Sequence, residues 1–171
     1  VTLTYADNRT PAVSNTLQLG FVVETYATLP ASFALPASAV ETNRGGLVVR
    51  TVQARADAGL AATLARAEAQ LAGTLVDPTT GSPYLNQARP GPNSDKTFDE
   101  LDFINYEQNA SPIGNFLDNE KAIPGIPGTG GHTENIALEA LTFLDLPAGF
   151  HKFGVNSDEG FQITVGEKDA R

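Results

Sequence analysis

The residues 149–166, GFHKFGVNSDEGFQITVG, hold the densest candidate chemistry in the chain. Two alternating apolar runs flank a short loop made of Asn156, Ser157, Asp158, Glu159 and Gly160. One amide and two carboxylates in so tight a loop offer several oxygen atoms. Calcium takes roughly six to eight oxygen ligands in flexible geometry, so this residue set suits it. Asp158, Glu159 and Asn156 are therefore the candidate metal ligands, and calcium is the candidate ion. The spacing is not that of an EF-hand, because Gly160 arrives too early. The same residues also build loops without any ion, since Asn, Asp and Gly side chains and backbones close turns on their own.

Other acidic pairs point away from catalysis. A retaining glycosidase needs two carboxyls facing each other across a cleft, about 5.5 Å apart. Asp99 and Glu100, Asp118 and Glu120, and Asp158 and Glu159 are adjacent or nearly so, which puts them on opposite faces or in turns. His132 and His151 are the only imidazoles. His132 reads as a solvent-facing loop histidine with Glu134 nearby, and His151 as a surface residue of a strand. Neither a His-Glu-x-x-His helix nor a Gly-x-Ser-x-Gly elbow occurs. The glycines of AIPGIPGTGGH (122–132) lack the Lys and Ser/Thr of a phosphate-binding loop. No catalytic residue is assigned, and the expectation is a protein that is not an enzyme.

Composition narrows the partners. The 171 residues carry a net charge of −9, which disfavours nucleic acid and anionic membrane surfaces, because both call for clustered Lys and Arg. With no cysteine, disulfides, thiolate catalysis and zinc–thiolate sites are excluded. No apolar run approaches the ~20 residues of a membrane span. The chain has no methionine and opens Val1-Thr2-Leu3, as expected of a processed product or a piece of something longer.

The elements that would position these residues follow from periodicity. VTLTYA (1–6), LQLGFVVETYA (17–27) and GLVVRTVQA (46–54) read as strands, with turn chemistry in DNRTPAVSN (7–15). TLPASFALPASAVETNRGG (28–46) reads as an extended linker anchored by Phe33, Leu35 and Val40. In ADAGLAATLARAEAQLAGTL (56–75), Leu60, Leu64, Leu71 and Leu75 recur at helical spacing; Asp57 would cap the start and Gly73 the end. The expected helix covers 57–73, with its Leu stripe facing the core. TFDELDFINYEQ (97–108) alternates again, with Phe103 and Tyr106 as core or edge aromatics. IALEALTFLDL (136–146) fits helix or strand by its pattern, and propensity leans to helix. GFHKFGV (149–155) and GFQITVG (160–166) read as two strands of a hairpin, with Phe153 and Val155 facing Phe161, Ile163 and Val165.

The order Leu146-Pro147-Ala148-Gly149-Phe150, then Phe153-Gly154-Val155-Asn156-Ser157-Asp158-Glu159-Gly160-Phe161, resembles the protective-antigen-type β-sandwich of bacterial toxins, glycosidases, flocculins and large surface proteins. Looser likeness extends to Val48-Val49-Arg50-Thr51 and Glu68-Ala69-Gln70-Leu71-Ala72-Gly73. The resemblance implies a strand at 136–146. It also implies that the acidic hairpin loop can hold calcium, which in sugar-binding relatives contacts sugar hydroxyls. Asp158 stands at the first position of the usual aspartate pair and Glu159 at the second.

The expected fold is mainly β, a jelly-roll-like β-sandwich with one short α-helix. The expected division is residues 1–27 as strands of a preceding module or a donor segment, 28–46 as linker, and 47–171 as a sandwich incomplete at its C-terminal end. A sandwich lacking strands leaves open edges that recruit strands from other chains. The expected function is a non-catalytic extracellular or cell-surface module for structure or adhesion. It would be the repeating unit of a fibre, with copies of itself or adjacent modules as partners. The alternative is a calcium-dependent carbohydrate-binding module of a secreted enzyme or adhesin, with glycans as partners.

Overall fold

The sheet at the centre of the larger unit forms around a run of β-branched residues, Leu47–Gln53 (β3), in a computed structural model of the chain. The structure describes residues 2–6, 14–18, 28–40, 45–88, 98–108, 120–128 and 131–166, the first two segments by their backbone alone. The chain falls into two units, Val1–Ala34 and Leu35–Arg171, which divide inside the segment read as a linker.

In the first unit, Thr2–Ala6 (β1) pairs antiparallel with Ser14–Gln18 (β2), in a register from Thr2↔Gln18 to Ala6↔Ser14. The second strand therefore begins inside the stretch read as a turn. Asn15 and Ser14 are poor strand formers, but the register sets them opposite Tyr5 and Ala6, and pairing overrides propensity. Residues 7–13 and 19–27, which carry the rest of the expected turn and strand, lie outside the described residues.

The linker stretch is not uniformly extended. Leu-Pro-Ala-Ser occurs at 29–32 and again at 35–38. Each copy places an extended proline, Pro30 or Pro36, before a single 3-10 turn, Ala31–Phe33 or Ala37–Ala39. The proline carbonyl closes each turn, accepting from Phe33 N (3.0 Å) or Ala39 N (2.8 Å). A fixed proline φ repeats the same local geometry wherever the tetrapeptide repeats.

In the second unit, β3 lies between Phe98–Glu100 (β4) and Ile136–Leu141 (β7), both antiparallel to it. β4 pairs only with residues 47–49, from Leu47↔Glu100 to Val49↔Phe98, whereas β7 pairs along 48–53. Where β4 stops, the segment at 86–87 takes over its edge of β3. Asn86 Oδ1 accepts from Thr51 N (3.0 Å), and Gln87 N donates to Thr51 O (2.7 Å). Thr51, Val52, Gln53 and Ala54 are consequently all buried, and the in–out alternation expected of a half-exposed strand is lost at that end. Residues 136–141 form a strand, as the family likeness implied and against their helix propensity, because the β3 edge satisfies their backbone groups.

The helix is shorter than its leucine spacing implies. Ala56–Ala58 is a 3-10 turn ended by Gly59 in the left-handed region (φ 60°), and Leu64–Leu71 (α1) begins only after Thr63. Thr63 Oγ1 caps it, accepting from Arg66 N at 3.2 Å. Asp57 does not cap it; its carboxylate takes two hydrogen bonds from Arg55. Gly73 does terminate it. At φ 71° its N–H donates to Gln70 O, and Thr74 N donates to Ala69 O, the paired bonds of a Schellman end. Arg50 reaches the same end, donating to Leu71 O while pairing with Glu139 at 2.8 Å. The leucine stripe is not the core face: Leu64 is 44% exposed, and the side chain α1 buries is Gln70.

The segment 97–108 divides into β4 and the two-residue strand Tyr106–Glu107 (β5), which pairs in parallel with Lys121–Ala122 (β6). Phe103 sits between them with Lys121 Nζ 4.3 Å from its ring centroid. Beyond β7 the expected hairpin does not form. Residues 149–155 and 160–166 have no ladder between them, and Phe150, Phe153, Phe161 and Ile163 are all more than half exposed. A strand needs a neighbouring strand for its backbone, and neither run lies in a ladder among the described residues. The described chain is thus β-rich with little helix, and its sheets are small.

Candidate functional site

The acidic loop keeps the shape of a turn. Ser157 Oγ donates to Gly160 O at 2.8 Å and accepts from Gly160 N at 3.4 Å, closing residues 157–160. Gly160 has φ 150°, a region glycine alone enters readily. Asn156, Asp158 and Glu159 are exposed sequence neighbours at this turn. Among the described residues, no group of three or more His, Cys, Asp or Glu side chains could hold a metal ion. The loop thus supplies two carboxylates and one amide, fewer oxygens than calcium takes, and further ligands would have to come from water or another segment.

The remaining acids and histidines take structural positions. Asp99 and Glu100 point to opposite faces of β4, the first exposed and the second buried, as their adjacency implies. Asp118 lies outside the described residues. Glu100 accepts from Tyr106 Oη (2.8 Å), Lys121 Nζ (2.9 Å) and Asp102 N (3.2 Å). Burial pushes its carboxyl up, but the bonds from Lys121 and Tyr106 outweigh that and hold it below the usual carboxylate range. Burial and the same carboxylate push the Tyr106 phenol up, and the bond to Glu100 raises Lys121. This cluster joins β4, β5 and β6. His151 lies in an irregular stretch rather than a strand, its Nε2 2.7 Å from Pro147 O.

Carboxamides, not acids, occupy the centre. Gln70 is 1% exposed and donates from Nε2 to the carbonyls of Val52 and Asn135, while its Oε1 accepts from Arg66 Nη1. Gln53, 4% exposed, donates from Nε2 to His132 O (2.7 Å), His132 Nδ1 (3.2 Å) and Glu134 O (3.3 Å). Glu134 N also donates to His132 Nδ1, so that nitrogen is the acceptor and the ring proton sits on Nε2. His132 is therefore a partner of the core rather than a free loop residue. Gln87 Nε2 donates to Gln53 Oε1 at 3.2 Å, and Asn135 Nδ2 donates to Arg55 O at 2.7 Å. Sequence reasoning missed these residues. The one local trace is a glutamine inside each of two apolar runs, Val-Val-Arg-Thr-Val-Gln and Ala-Gln-Leu.

No helix of the described residues is long and apolar enough to cross a membrane. Comparison with protein-family models, curated proteins and solved structures gives no match for this chain.

Proposed function

We propose that the chain is a non-catalytic extracellular module with a structural or adhesive role, a protective-antigen-type β-sandwich that shares strands with neighbouring copies or modules. The observation that carries this reading is the exposed apolar stretch after β7. From Phe143 to Val165 nine large apolar side chains are at least 37% exposed, Phe150 the most at 87%. They alternate with polar or small residues at 153–155 and 161–165, the pattern of a strand with one face to cover. The outer edge of β7 also has no strand beside it among the described residues. Open edges and uncovered apolar faces drive association. Residues 47–166 form the acceptor in this reading and residues 1–27 the donor.

The test is the size of native particles by light scattering and negative-stain microscopy, with and without EDTA. Filaments that survive EDTA and disappear when residues 1–27 are deleted support strand sharing. A truncated chain that still polymerises refutes that donor.

The second reading is calcium-dependent carbohydrate binding at Asn156, Asp158 and Glu159. The observation in its favour is that all three are exposed, Asp158 and Glu159 within the closed turn at 157–160 and Asn156 next to it. A monomer whose melting temperature falls on chelation would select it.

A further inference from the structure

We infer that the chain cuts its own backbone at the Asp77–Pro78 bond, with the Asp77 carboxyl as the nucleophile. The bond opens the turn at 77–82, and residues 78–83 beside it are exposed to water.

The turn arranges the three groups that such a cut needs. The electrophile is the Asp77 carbonyl. Gly81 N donates to its oxygen at 2.7 Å, so a backbone N–H already faces the atom that gains negative charge when the carbon is attacked. The nucleophile is the carboxyl of the same residue, which reaches that carbon by closing a five-membered ring. Its Oδ1 accepts from Thr79 N at 2.8 Å, and Arg55 Nη1, which donates to Thr79 Oγ1, lies 4.0 Å from it. The side chain is thereby held across Pro78, only 18% exposed, with Oδ2 as the attacking atom. The leaving group is the Pro78 nitrogen. It carries no hydrogen, so it departs as a secondary amine, a stronger base than the primary amine any other residue would release. Asp77 N, donating to Ser82 O at 2.9 Å, and the Val76↔Pro83 bridge hold the two ends of the turn together.

In the step itself, Asp77 Oδ2 bonds to the Asp77 carbonyl carbon, the carbon–nitrogen bond to Pro78 breaks, and the carboxyl proton passes to the Pro78 nitrogen. A cyclic anhydride remains at Asp77, and one water opens it to a C-terminal aspartate. Arg55, itself paired with Asp57 at 2.7 Å, and Tyr84, which shares a cleft with Asp77, are the ionisable groups beside the carboxyl. Each chain reacts once, so the step is not turnover, and it involves neither calcium nor strand sharing. The two pieces stay joined, because β3 and α1 precede the cut while β4 and β7, which pair with β3, follow it.

The test is incubation of the full chain in mildly acidic buffer, folded and in concentrated urea, read by intact-mass spectrometry under denaturing conditions. The folded chain should yield residues 1–77 and 78–171, their masses summing to the parent plus one water, at least about tenfold faster than the unfolded chain. The urea sample keeps the bond and lacks the turn, so it measures the ordinary acid lability of an Asp–Pro bond. Asp77→Asn, which keeps an oxygen for Thr79 N, should lose the reaction, and Pro78→Ala should slow it about tenfold. The inference is overturned if neither fragment appears, if the unfolded chain is cut as fast as the folded one, or if Asp77→Asn is cut as the parent is.

Discussion

Replacing Gln70 tests whether the buried amides hold the larger unit together. Gln70→Leu keeps most of the volume but removes both donated bonds, leaving the Val52 carbonyl without that donor; the Asn135 carbonyl still receives Ala54 N. Each lost hydrogen bond costs about 0.5–1.5 kcal/mol net. The expected loss for Gln70→Leu, two donated bonds, is therefore about 1–3 kcal/mol. Gln70→Ala adds a cavity at a residue only 1% exposed, so it should lose more. Against a typical total of about 5–15 kcal/mol, either loss is large. Urea unfolding followed by circular dichroism is the assay, with stability read from the midpoint at constant m-value. In heat unfolding, Gln70→Leu should lower the melting temperature by about 2–12 °C. A Gln70→Leu protein as stable as the parent would refute the reasoning, because it would mean leucine packing replaces the bonds at no net cost.

Other outcomes follow from the same structure. Because Glu100 is held below the usual carboxylate range, its contribution is present above the unfolded-state value of about 4.3 and lost as pH falls through the lower folded value. Acid unfolding of the parent should show that limb, and Glu100→Gln should flatten it. Lys121 is raised, so its contribution persists through neutral pH and is lost only above the usual lysine range, which alkaline unfolding of Lys121→Met would show. Thr63→Ala should cost about 1 kcal/mol by urea unfolding through loss of the cap on α1. Gly73→Ala has room for its methyl, 3.6 Å from Pro83, and should lose only about 1–2 kcal/mol of left-handed backbone strain. Gly125→Ala would drive its methyl into the Gln87 backbone carbonyl, and should lower the melting temperature further than Gly73→Ala does.

What the sequence determined by itself is what neighbouring residues decide among themselves. Alternation in Leu47–Gln53 marked β3, and Gly73 marked the end of α1, because the left-handed residue after a helix is a local requirement. The turn at 157–160 was legible for the same reason, since Ser157 and Gly160 close it without outside help. The start of the helix was read too early, at Asp57; Gly59 ends that turn and Thr63 is the cap.

The tertiary structure decided everything that needs a distant partner. Residues 136–141 became strand because β3 offered an edge, while 149–155 and 160–166, with equally good alternation, join no ladder among the described residues. Helical spacing made the leucines look like the buried face, but Val52 and Asn135 present carbonyls to α1, so Gln70 is the side chain it buries. The amide centre joins residues 18 to 81 positions apart, Gln70 to Val52 and Gln53 to Glu134. No local pattern encodes such pairs. A glutamine is ordinarily a surface residue, and only the fold, by setting carbonyls where its N–H groups can reach them, makes its burial favourable.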